Sequence, residues 1–200
     1  MRQETIEVTY YKFDELSEAA KEHAIEKLSD INVDFEWHDF TIDDIKTIGK
    51  IIGIDIDNVY FSGFSSQGDG ACFEGHYAYK KGSLKEIKEY APKDETLHTI
   101  TESLFKLQAK NFFKLTASVK HSGHYYHENC TIIDVSYYDY NDNDRLTDSI
   151  EQDLKELLRD FMRWSYRLLE KDYEYLTSEE AIKETILANE YEFDENGNLQ

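Results

Sequence analysis

Residues 58–79, NVYFSGFSSQGDGACFEGHYAY, decide the fold. Asn58 to Ser66 and Ala71 to Tyr79 are rich in aromatic residues, and the glycines between them supply a turn, so the stretch reads as a β-hairpin. A second pair of extended segments follows, Phe113 to His121 and His127 to Tyr138, joined by SGHYY. Hairpins need no crossover helix, so the sheet is antiparallel or mixed, with helices segregated against it. The expected class is α+β, in a single domain over residues 1–200.

Around these hairpins the chain alternates strand and helix. TIEVTYYKF, residues 5–13, is β-branched and aromatic and predicts an N-terminal strand in the same sheet. Leu16, Ala19, Ala20, Ala24 and Leu28 recur at helical spacing within Asp14 to Asp30. Ile42, Ile45, Ile48 and Ile52 mark a second helix, with Gly53 as its C-terminal cap. Residues 84–111 read as helical with a break around Pro92, the chain's only proline. YNDND at 140–144 is a loop. Ile150, Leu154, Leu157, Phe161, Leu168 and Leu169 form the stripe of a long helix from Thr147 to Tyr173. Ser178 caps a last helix through Asn189, and Glu190 to Phe193 leads as a short strand into the turn DENGN.

Charge narrows the function classes. Forty-two acidic against twenty-two basic residues give a formal net charge of −20 over 200 residues. Such a surface repels phosphate backbones and anionic membranes, so direct nucleic-acid binding is disfavoured. No apolar run is long enough to span a bilayer, and no signal peptide is expected. Two cysteines, Cys72 and Cys130, make no disulfide framework and suit a reducing cytoplasm.

Two constellations carry possible chemistry. In SQGDGACFEG, residues 66–75, Gly68 and Gly70 flank Asp69. The loop has no Lys or Arg and no helix behind it, so it is not a phosphate loop; it remains either a glycine-shaped turn or a ligand-binding loop. Alternation along Ala71 to Tyr79 puts Phe73, Tyr77 and Tyr79 on one face and Cys72, Glu74 and His76 on the other. The second constellation is HSGHYYHENC, residues 121–130. His121, His124, His127 and Cys130 recur every three residues, a period that does not align side chains on a strand and is not that of structural zinc sites. No metal is expected, and His121 and His127 are the metal candidates left over. These two histidines also flank the turn, where they could face each other across the hairpin. The candidate ligand-binding set is therefore Ser66, Gln67, Gly68, Asp69, Gly70, Cys72, Glu74, His121 and His127. No nucleophile elbow, HExxH or CxxC occurs, and the residues specify neither a cofactor nor a catalytic group.

Four segments, YYKFDELSEAAKEHAIEKL, VYFSGFSSQGDGACFEG, HSGHYYHENC and EEAIKETILANEYEFDENGN, together resemble a family of small acidic phage- and prophage-encoded proteins. Members are often labelled antitoxin of a toxin–antitoxin stability system. The resemblance spans residues 10–198 and is most specific at Ser66 through Phe73, with Ser122, Gly123 and Tyr125 beside the two histidines. It implies a mobile-element accessory protein working in bacterial cytoplasm, and it supplies no reaction.

Three functions follow as expectations. The first is an antitoxin-like or counter-defence binding protein that sequesters a host or toxin protein, or a small nucleotide-type ligand. The second is a nucleotide or phosphoester hydrolase using Asp69 and Glu74 with His121 and His127. The third is an acidic DNA mimic. The oligomeric state is not encoded legibly.

Overall fold

A computed structural model describes residues 9–138 and 146–200. The 140–144 loop and residues 5–8 of the N-terminal strand lie outside the described residues. The class is α+β, with two antiparallel sheets and a long C-terminal helix. The first elements are β1 (Tyr11–Lys12), a 3₁₀ turn at Phe13–Glu15, α1 (Glu18–Lys27), α2 (Asp39–Ile52), β2 (Ile54–Ser62) and β3 (Gly70–Ala78). Next come α3 (Ser83–Tyr90), α4 (Glu95–Lys110), β4 (Leu115–His121) and β5 (Thr131–Tyr137). The chain closes with α5 (Asp148–Leu176), α6 (Glu179–Ala188) and β6 (Glu192–Phe193). It divides into two compact units, one of residues 39–170 and one of residues 1–38 with 171–200.

The 39–170 unit holds a four-stranded antiparallel sheet in the order β2-β3-β4-β5, two hairpins side by side. Ile54 and Ile56 on β2, Phe73 and Tyr77 on β3, Leu115, Ala117 and Val119 on β4, and Ile133 on β5 are buried. Phe73 meets Phe161 of α5 edge to face, with centroids 6.0 Å apart. On the opposite face Asp55, His76, Ala78, Ile132, Asp134 and Ser136 are exposed, the alternation expected of a half-covered sheet. Asp94 caps α4 by accepting from Leu97 N at 2.9 Å, and its second oxygen accepts from Trp164 Nε1 at 2.8 Å.

Asp57 is an extra residue on β2, between the pairs Ile56↔Gly75 and Asn58↔Glu74. This bulge sharpens the local twist. Gly75 sits opposite it, where a Cβ would come 2.0 Å from the Asp55 carbonyl oxygen, so no other residue fits.

Where α4 meets β4, Phe112 and Phe113 both adopt left-handed backbone, at φ 56° and 59°. Bulky residues avoid that region, at a cost of about 1–2 kcal/mol each. The turn is braced from inside by Gln108, which is fully buried. Its Nε2 donates to the Leu115 carbonyl at 2.7 Å and to the Tyr77 hydroxyl at 3.2 Å, and its Oε1 accepts from Leu115 N at 3.1 Å. Asn111 adds a bond from Nδ2 to the Leu107 carbonyl and accepts from the Tyr137 hydroxyl.

In the other unit, β1 pairs antiparallel with β6 through Tyr11↔Phe193 and Lys12↔Glu192. Among the described residues, the predicted N-terminal strand therefore pairs with β6 and not with the hairpins. Its described part is two residues long before Phe13 turns into the 3₁₀ helix, too short to extend a nine-residue strand such as β2. Phe13 instead enters a small core with Leu16, Ala20, Ala24, Ile182, Ile186 and Phe193. Ser17 and Ser178 cap α1 and α6, each side chain accepting from the N–H three residues on.

Candidate functional site

A seven-residue turn shapes the first hairpin end. The turn joining β2 to β3 runs from Gly63 to Asp69, closed by the pair Ser62↔Gly70. Asp69 is its internal brace: one carboxylate oxygen accepts from Ser65 N at 3.1 Å and from Ser66 N at 2.6 Å. Tyr166 of α5 donates to the Gly63 carbonyl at 3.1 Å, and Phe64 stacks on its ring. Ser66 and Gln67 are left exposed at the tip.

The second hairpin end differs from its expected register. β5 begins at Thr131 rather than His127, and Thr131, not His127, lies opposite His121. The cause is a turn over 127–130, closed by Cys130 N donating to the His127 carbonyl at 2.8 Å and by Thr131 Oγ1 donating to the Glu128 carbonyl at 2.8 Å. Residues 122–130 thus form one long connection. Arg163 of α5 ties it down through Glu128 at 3.2 Å, while also pairing with Glu156 and Asp160.

The two ends meet. A Cβ on Gly70 would lie 2.6 Å from His127 Cβ and 2.7 Å from His127 Cα. Gly68 lies beside the Tyr125 ring, whose edge a Cβ would meet at 3.6 Å. Tyr126 stacks on Tyr60 with centroids 5.6 Å apart, and the His121 ring packs against both at 5.2 Å. Cys72, the cross-strand partner of Tyr60, is only 1% exposed, although alternation places it on the outer face. The 122–130 connection, folded onto this end of β3, accounts for the difference.

A fork in the sheet makes room for this. β3 and β4 pair only from Gly75↔Val119 to Ala78↔Thr116. Beyond Gly75 they part, and the Glu74 carboxylate fills the gap by accepting from His121 N at 3.2 Å. It also accepts from the Tyr60 hydroxyl at 2.9 Å and from Asn58 Nδ2 at 3.3 Å. The Tyr60 bond first, then Asn58 and the His121 N–H, holds the Glu74 carboxyl below its ordinary range. The same bond, foremost, raises the Tyr60 phenol. A lowered folded-state carboxyl contributes stability above the unfolded value and loses it as pH falls through the folded one. The stability gap between wild type and Glu74→Gln is therefore expected to shrink once pH drops below about 4.3. Urea midpoints of both proteins from pH 7 to pH 3 measure it, and a gap constant across that range would refute the assignment.

The predicted residues are thus brought together: Gly68, Gly70, Cys72, Glu74, His121 and His127 share one end of the sheet, with Ser66, Gln67 and Asp69 in its adjoining turn. His121 and His127 do not face each other. His121 Nε2 bonds the Tyr125 carbonyl at 3.0 Å, while the His127 ring contacts Asn129 and Cys130. Among the described residues no group of three or more His, Cys, Asp or Glu is arranged to hold a metal, and no helix is long and apolar enough to cross a membrane. Reading by residue type missed the Tyr60–Tyr126 stack and the Cys130–His127 contact. The i,i+3 spacing in HENC was the available signal for the latter, and a turn makes use of it.

No curated protein and no solved structure matches the chain. A family model does match it over residues 37–179, which takes in both hairpins, all of α5 and the whole of this site. The chain belongs to that family, described as a domain of unknown function, DUF8835.

Proposed function

We propose that the protein is a binding protein whose recognition surface is the joined end of the two hairpins. In this reading it is a phage or prophage accessory factor of antitoxin-like or counter-defence type, acting in bacterial cytoplasm. It sequesters a host or toxin protein, or a small nucleotide-type ligand. The observation that carries the reading is the close packing of Gly70 on His127 and of Gly68 on Tyr125, which fixes two otherwise independent loops as one surface. That surface exposes Ser65, Ser66, Gln67, His124 and Tyr125, with Tyr125 56% exposed. Prior fixing of loops lowers the ordering cost of binding, and an exposed tyrosine is a common anchor. The net charge of −20 favours encounter with a basic partner.

The hydrolase alternative draws less support from the same geometry. One Asp69 oxygen accepts from Ser65 and Ser66, and both Glu74 oxygens are taken by Tyr60, Asn58 and His121, which suits bracing better than proton transfer. Full-length protein purified from a bacterial host is expected to carry a protein partner or nucleotide-type ligand identifiable by mass spectrometry. Tyr125→Ala is expected to weaken that association roughly tenfold or more. Wild-type protein that retains neither would end the reading.

A further inference from the structure

Cys130 closes the 122–130 connection, half-buried, with its sulfur 3.3 Å from His127 Nε2. The other ring nitrogen, Nδ1, accepts the Asn129 backbone N–H at 3.2 Å. A neutral imidazole carries one hydrogen, and with Nδ1 accepting, that hydrogen is on Nε2. Nε2–H is therefore a donor aimed at the sulfur. The ring is in the wrong tautomer to take a thiol proton, but in the right one to solvate a thiolate, the form of cysteine that attacks. Gly123, across the connection, presents no side chain to the sulfur, and a Cβ there would stand 3.9 Å away.

Cys72 supplies an internal contrast. It is 1% exposed, and burial foremost, with Cys130 and Glu74 nearby, pushes its thiol up to about 12. The chain's two cysteines thus sit in opposite settings, one sealed and protonated, one reachable and paired with an imidazole N–H.

We propose that Cys130 is a thiol–disulfide exchange site that takes small disulfides of the R–S–S–R class. The Cys130 thiol gives its proton to solvent, and the thiolate attacks one sulfur of the disulfide. A Cys130–S–S–R bond forms, the original S–S bond breaks, and R–S⁻ leaves with the electron pair. Cys130 is oxidised and one half of the disulfide is reduced. His127 is a positioning residue that donates to the sulfur throughout.

The test treats the folded full-length chain with hydroxyethyl disulfide at neutral pH and follows adducts by intact-mass and peptide mass spectrometry. One adduct, on Cys130, is expected, with Cys72 modified only after unfolding. His127→Gln, which keeps an N–H donor, is expected to hold the rate within about twofold, whereas His127→Ala slows it by roughly three- to fivefold. That factor is modest because a better-solvated thiolate is also a weaker nucleophile. Modification of Cys72 first, equal rates at both cysteines, or His127→Ala matching wild type would overturn the proposal. Should His127→Ala not fold, the wild type decides: Cys130 is expected to react faster folded than in urea, and a slower folded reaction overturns the site. The reaction is read without any partner, so its failure and that of the binding reading are separate results.

Discussion

Gln108→Ala is expected to destabilise the 39–170 unit by about 3–4 kcal/mol, because several buried groups lose their partner at once. The substitution orphans the Leu115 N–H and carbonyl and removes the donor to the Tyr77 hydroxyl, all in a fully buried setting. It also releases the turn that holds Phe112 and Phe113 in left-handed backbone, so the strain there loses its counterweight. Chemical denaturation measures the loss. Gln108→Leu serves as the companion variant, filling most of the volume without the hydrogen bonds. Near-equal losses for Ala and Leu assign the effect to hydrogen bonding, and a loss under about 1 kcal/mol for both would refute the brace.

Gly70→Val is expected to cost about 2–3 kcal/mol and to abolish partner binding together with the hairpin junction. The requirement at this position is for space: Gly70 is not among the glycines with left-handed backbone, and the obstacle is the backbone and Cβ of His127. Those atoms cannot swing aside as a long side-chain tip would. His127→Gly removes the Cβ that stands closest, so the Gly70→Ala/His127→Gly double variant is expected to be more stable than the two single losses predict by addition. Strict additivity would mean that the hairpin ends do not press on one another.

What the residues reveal in advance depends on how local the cause is. The isoleucine stripe of α2, the apolar stripe of α5 and the serine cap of α6 each lie within one element, so spacing suffices to find them. Both hairpins were legible for the same reason, since glycine-rich turns between aromatic runs act locally. The meeting of Gly70 with His127 joins residues 57 positions apart and has no periodic signature, although proposing the two loops as one site anticipated it. The start of β5 at Thr131 was not legible, because the turn over 127–130 wins through hydrogen bonds from Cys130 N and Thr131 Oγ1 that compete with the strand ladder. The Gln108 brace was hidden as well: a glutamine on a helix reads as a solvated position until tertiary packing buries it.

The fork at Gly75 and Val119 has a consequence for how this family can vary. Below it, β3 and β4 share a ladder locked to the helices, and a change there disturbs the core. Above it, each hairpin end is its own lever arm, joined to the other by side chains and glycine contacts rather than by paired backbone. Length and composition between residues 122 and 130 can therefore drift without re-registering a single strand. The molecule separates the part that must stay fixed to fold from the part free to vary.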